Sequence, residues 1–375
     1  MASPRNSLQR IAVDPMEKIK LYGLRISYYT GKMEAYLRYK GIEHDFVTLN
    51  RARFRRIEEK TGTAQMPAIE LPDGRFMADT TPMIAWFESQ YPDTPVVPED
   101  PVLAFLAHLL EDYFEEWLWR PAMHYRWSYQ PSRLHLSRKI VDEFMTDMPV
   151  PKMIMRAVIR RRQLGRYVKK DGVSSDTWDH VESIYLKTLE RLENVLSQRE
   201  YLLGDKPSLA DFGLFASMFR HFSQDPTASD IMRLQAPGVF EWQARLWNAR
   251  WNSTSRWLDA VPGDLMPILK DVGAAYLPYL NDNARAWQQR QERFNPTTLG
   301  VQYRDVPVSQ YRVWCLEELQ RKARAVPQVD QDRLQTTLES ANCWAPLFEL
   351  KEPASGYDDS DLPFRAGKVH YDNRR

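Results

Sequence analysis

The segment KIKLYGL (18–24) alternates charged and apolar positions and predicts a short strand. In 30–40 the apolar residues Met33, Tyr36 and Leu37 recur at helical spacing, and Gly41 is placed to end that helix. HDFVTLN (44–50) alternates again and predicts a second strand, whereas RARFRRIEEKTG (51–62) is basic and polar and reads as a loop or irregular helix. PAIEL and RFMA flank Asp73-Gly74, a strong two-residue hairpin signal, so they should pair antiparallel. Thr80 or Thr81 is expected to cap the next helix, with Pro82 in its first turn and Met83, Ile84 and Phe87 on one apolar face.

After the proline-rich stretch YPDTPVVPEDP (91–101), strand signals nearly vanish. Helical periodicity runs through 102–127, 153–170, 177–199, 208–222 and 237–251, and a further helix-rich region covers 265–345. The pattern divides the chain into a loose leader (1–17), a small sheet-and-helix domain (18–92) and a linker (93–101). A helical domain (102–260), a helical extension (261–350) and a polar, mobile tail (351–375) follow.

Composition narrows this picture. The chain has 375 residues, 43% hydrophobic and 27% charged, with a net charge of +1, so no global field draws it to nucleic acid or an anionic membrane. No apolar run is long enough to span a bilayer, and the N-terminus lacks the apolar core of a signal peptide. The two cysteines, Cys315 and Cys343, argue against a disulfide framework and for a cytoplasmic location. Their positions also exclude a dithiol motif at the first helix. No spaced His/Asp/Glu set suggests a metal.

Several residues have both a structural and a chemical reading. Ser27, in the turn SYYTG, is a preferred helix cap, and its hydroxyl also stands at a helix N-terminus, where an anion is favoured. Pro67 suits an ordinary trans proline opening an edge strand. Asp79 and Thr80 stand just before a helix, as a plain cap or as partners for a carboxylate and an amino group. Ser208 and Asp211 have capping-box spacing, a structural role in either reading. LLEDYFEEWLWRPAMHYRW (109–127) gathers Tyr113, Phe114, Trp117, Trp119, Tyr125 and Trp127, as helix core or as a wall for a flat ligand, with His124 as a lone candidate base. RAVIRRRQLGR clusters Arg156, Arg160, Arg161, Arg162 and Arg166; it reads first as a solvated face with local ion pairs, and RNA, acidic lipid or a protein partner are the alternatives.

Three stretches together resemble the cytosolic glutathione transferase superfamily: SYYTGKMEAYL (27–37), QMPAIELPDGRFMADTTPMIAWF (65–87) and YLLGDKPSLADFGLFA (201–216). The resemblance covers 18–255. It departs from the family pattern at Tyr28, which replaces a proline, and at Asp79-Thr80, which replaces Glu-Ser. It also has an apparent insertion near 130–175. It implies an α/β thioredoxin-like N-terminal domain followed by an all-α helical-bundle domain. It implies glutathione as co-substrate, no metal, and a homodimer. Ser27 would stabilise the thiolate, with Tyr22 as the tyrosine alternative. Met66, ahead of a cis Pro67, would pair with the peptide backbone, and Asp79 and Thr80 would hold the γ-glutamyl end. Tyr28, Tyr113 and Trp117 are candidate substrate-pocket residues, and Tyr29 is expected in the core. The rival function is a non-catalytic scaffold that uses the C-terminal extension for partners.

Overall fold

A computed structural model describes residues 18–366. The leader and the last nine positions of the expected tail lie outside the described residues. The chain opens with β1 (Ile19–Gly23), α1 (Tyr28–Lys40), β2 (His44–Thr48), α2 (Arg51–Thr61), β3 (Ala68–Glu70), β4 (Phe76–Ala78) and α3 (Thr80–Gln90). The strands form one mixed sheet in the order β2-β1-β3-β4, β1 being parallel to β2 and antiparallel to β3. This is the expected thioredoxin-like arrangement. The Asp73-Gly74 hairpin joins β3 and β4, with Gly74 at a φ of 84° that a side chain rarely adopts. α2 is a regular helix rather than a loop. Asn50 accepts from Arg53 N–H at its start and Gly62 closes it in the left-handed region, while only Ile57 and Thr61 are buried.

The rest is dominated by helices: α4 (Pro101–Glu116), α5 (Trp119–Trp127), α6 (Gln130–Phe144), α7 (Lys152–Gln163), α8 (Trp178–Leu196), α9 (Leu209–Ser217), α10 (Pro226–Gln235) and α11 (Pro237–Asn248). The extension adds α12 (Met266–Asp271), α13 (Leu277–Gln288), α14 (Gln310–Ala325), α15 (Gln328–Ser340) and α16 (Trp344–Leu347). It also carries two short two-stranded ribbons between 293 and 307, which helical periodicity did not foresee. The presumed insertion is built of α6 and α7 packed together, tied by Lys152 and Arg156 to Asp142. α7 runs into a π-helical turn at Leu164–Val168, and α9 into another at Met218–Phe222.

α9 is seeded by the expected capping box: Asp211 Oδ2 accepts from Ser208 N–H at 2.9 Å, and Oδ1 accepts from Leu202 N–H at 2.9 Å. It crosses α4 so closely that a Cβ on Gly213 would lie 2.7 Å from Glu111 Cα. α14 and α15 lie against α4. The expectation of a mobile tail fails over 351–366. Tyr357 and Ser355 are buried, Pro363 C=O accepts from Ala78 N–H at 3.0 Å along the open side of β4, and Ala366 N–H donates to Thr61 C=O at 2.9 Å. Phe364 packs edge-on against Trp86 and under the Arg75 guanidinium. A few large side chains are enough to hold a polar segment in place.

Candidate active site

The turn between β1 and α1 is held from the helical side of the molecule. Arg126, in α5, forms a bidentate pair with Asp225 and donates from Nη1 to Ile26 C=O at 2.9 Å. Arg220, in the second π-helical turn, donates to Leu24 C=O at 3.3 Å and pairs with Glu34. Tyr28 is buried, and its hydroxyl donates to Phe114 C=O at 2.8 Å. Ser27 stands between these anchors, half-buried, as the N-cap of α1. Its Oγ accepts from Thr30 N–H at 3.4 Å, which leaves the hydroxyl hydrogen to donate.

Ser27 opens on a cavity of about 720 Å³ that Met66, Pro67, Asp79 and Thr80 also line. The Met66–Pro67 peptide is cis. β3 begins at Ala68, so Met66 lies just ahead of the paired register. Asp79, rather than a threonine, is the N-cap of α3; its φ of 72° is unusual for a non-glycine residue, and Thr80 is the first helical residue. Tyr311, from α14, donates to Asp79 Oδ1 at 3.4 Å and also lines the cavity. Burial pushes the Asp79 carboxyl up to about 6, against the pull of Lys32 and of the Tyr311 bond.

Behind this wall Lys32 is fully buried, 2.6 Å from Glu111 Oε1 and 2.7 Å from Glu115 Oε1. Desolvation opposes charge on all three groups. The ammonium nevertheless holds the Glu111 carboxyl below its usual range, while burial and the neighbouring carboxylate push Glu115 well above it. The Lys32 charge thus favours ionised Glu111, burial favours the protonated form of Glu115, and Thr81 donates to Glu111 at 3.0 Å.

The opposite wall is aromatic. Trp119 stacks on Tyr29 with centroids 6.1 Å apart and meets Tyr167 edge-on, and Phe54 meets Phe144 at 5.7 Å. Tyr29, expected in the core, is half-buried and faces this cavity. His221 lines it too, buried to 2% exposure, edge-on to Tyr28 at 5.0 Å and with no hydrogen-bond partner for Nδ1 among the described residues. Desolvation, reinforced by Arg126, keeps this imidazole neutral by lowering its pKa well below the usual value.

Two expected pocket residues lie elsewhere. Tyr113 and Trp117 are buried and pack edge-on against Tyr276, with Trp117 also against Tyr279; both tyrosines belong to the extension. α4 is apolar on most of its circumference, and the extension covers the side those rings occupy. Tyr28 does line the cavity, but its hydroxyl is spent on backbone carbonyls. Tyr22 donates to Glu70 and is not among the residues that line the cavity. His124 sits between Glu182 and Ser128 beneath Trp178, outside the cavity. Tyr311 and His221 were not foreseen. His221 follows the legible capping box by one helical stretch, whereas nothing local marks Tyr311.

The family model described as "Glutathione S-transferase, N-terminal domain" matches residues 21–95, and "Glutathione S-transferase, C-terminal domain" matches 163–249. Among solved structures, the chain is similar to the β-etherase LigF of Sphingobium, at 20% identity, covering 61% of this chain and 95% of that one, with a TM-score of 0.44. It is also similar to a glutathione S-transferase of Methylobacterium radiotolerans in complex with glutathione sulfonate, at 17% identity, covering 66% and 100%, with a TM-score of 0.38. A glutathione S-transferase of Pseudomonas fluorescens gives 18% identity, 61% and 94% coverage, and a TM-score of 0.38. Membership is carried by the two domain matches, which fall in order on the sheet and the helical bundle. The chain belongs to the glutathione transferase superfamily.

Proposed function

We propose that this chain activates glutathione as a thiolate and directs it at an apolar or aromatic electrophile. One observation carries the reading: Ser27, at the N-terminus of α1, opens on the same cavity as Met66, Asp79 and Thr80. These groups suit the tripeptide. Met66 offers backbone ahead of the strand, Thr80 and the α3 N-terminus suit a carboxylate, and Asp79 suits an ammonium. The electrophile would lie against Trp119, Tyr29 and the Phe54–Phe144 pair. The sulfur would form the new bond to the electrophilic atom while the leaving group departs with the old bonding pair.

A free thiol ionises near pKa ~8.5. One hydroxyl donating to the anion is worth about 1.5–3 kcal/mol, and the helix N-terminus adds about 0.3–1 kcal/mol. Together they account for a drop of one to two pKa units, at about 1.4 kcal/mol each. The extension folds onto its own chain and supplies Tyr311 to the cavity wall, which supports the catalytic reading over a scaffold. The proposal includes the domain division at 93–101, the cytoplasmic location and the homodimer that the family resemblance implies. Light scattering of the purified chain tests the last.

Calorimetric titration with glutathione and the ultraviolet absorbance of the bound thiolate across pH test the function. Binding with an acid-shifted thiol is expected, and Ser27→Ala should return the thiol toward its solution value. No heat and no thiolate band for the unaltered chain would overturn the enzyme reading. An unshifted thiol pKa in Ser27→Ala would overturn only the assignment of Ser27.

A further inference from the structure

α7 is apolar on two faces. Met155 and Ile159 turn inward at 5% and 3% exposure, whereas Met153, Ile154 and Val158 face outward at 78%, 53% and 56%. Ala157 is exposed between them, so the outward strip of the first two turns carries no polar side chain. Clusters of large apolar side chains left in water mark interaction surfaces. The strip ends at Arg161, one turn beyond Val158 and exposed. Residues 152–170 hold eight basic residues and no acidic one.

We infer that this face docks on an anionic lipid bilayer. Met153, Ile154 and Val158 would sit at the level of the acyl boundary, with Arg161 among the headgroups. Charge selects this occupant. A second copy seated on the same face would bring two wholly basic segments together, and like charges there oppose association. RNA would satisfy the arginines but leave three large apolar side chains without a partner. An anionic bilayer satisfies both. Among the described residues no ion pair runs from Arg161, whereas those of α7 run from Lys152 and Arg156 to Asp142, toward α6.

The location adds a consequence that rests on the proposed function. The inner residues of the same stretch, Ile159, Arg162 and Tyr167, wall the cavity. A docked molecule would therefore hold its cavity beside the membrane surface, where an apolar electrophile concentrates. The docking itself stands or falls independently of glutathione chemistry.

Co-sedimentation of the full chain with vesicles tests it. Equimolar phosphatidylcholine and phosphatidylglycerol should retain the protein, phosphatidylcholine alone should not, and high salt should release it. The triple variant Met153→Ser, Ile154→Ser, Val158→Ser should bind the anionic vesicles at least about tenfold more weakly. Arg161→Gln should weaken binding about fivefold. The three apolar positions are solvent-exposed, so an unchanged thermal midpoint is expected of the triple variant. Failure to bind anionic vesicles overturns the inference, as does a triple variant that binds as well as the parent. A parent dimer that the triple variant converts to a monomer in light scattering also overturns it and assigns the face to a second copy.

Discussion

The hydroxyl of Tyr311 donates to Oδ1 of Asp79 at 3.4 Å, across 232 positions of sequence. The C-terminal extension is thereby part of the wall on which the γ-glutamyl end of glutathione is proposed to lie. The bond favours the ionised carboxylate over the neutral acid, which an ammonium-binding group requires.

Tyr311→Phe removes that hydroxyl and keeps the ring. At this length the bond belongs at the low end of the charged hydrogen-bond range, so the KM for glutathione should rise about three- to tenfold while kcat holds. Steady-state kinetics with glutathione as the varied substrate separate the two. An equal fall in kcat at unchanged KM would place Tyr311 in the chemistry instead.

Asp79 sets a pH dependence. Its carboxyl is lifted to about 6 from an ordinary 3.8, chiefly by burial. Below about 6 it is neutral and cannot pair with an ammonium, so glutathione affinity should weaken as pH falls through that value. Asp79→Asn should be weak at all pH and lose the inflection, and Tyr311→Phe should move it to higher pH. Linkage gives the matching sign for stability: the raised pKa favours folding at low pH, and that contribution is lost as pH rises from 3.8 through about 6. Binding isotherms and unfolding midpoints at several pH values check both.

Lys32 is the only cation within bonding distance of Glu111 and Glu115 among the described ion pairs. Lys32→Met leaves the ionised Glu111 buried and unpaired, at a cost of about 3–5 kcal/mol. Denaturant unfolding should show that loss, and adding Glu111→Gln should recover part of it.

Phe364 anchors the tail against Trp86 and Arg75. It is half-buried, so Phe364→Ala should cost about 2 kcal/mol, roughly half the cost at a fully buried site. Ending the chain after Leu350 should cost more and leave the outer side of β4 open to intermolecular pairing, visible as concentration-dependent aggregation.

The features legible in sequence are those decided within four residues. Turn chemistry reveals the Asp73-Gly74 hairpin, and capping chemistry reveals Ser27 and the Ser208–Asp211 box. α2 hides from periodicity because it buries only Ile57 and Thr61, although Asn50 and Gly62 mark its ends. α4 shows the opposite difficulty. With apolar residues around most of the helix, nothing local tells cavity from core, and Tyr113 and Trp117 face rings supplied by Tyr276 and Tyr279. The candidate glutathione wall comes from motifs close to one another in sequence. Tyr311 and the 351–366 strap come from packing across the whole chain, which leaves no local trace.

The hydrogen bond from Ala78 N–H to Pro363 C=O bears on the order of assembly. The sheet leaves the ribosome before the extension, yet the outer side of its last strand and the Tyr311 side of its cavity are completed by residues made long afterwards. Contacts this distant form late, after loop closure over most of the chain. A nascent or prematurely ended chain can hold Ser27, Met66 and Asp79 and still lack a finished wall. The fold thus makes synthesis through the 351–366 strap a condition for a complete site.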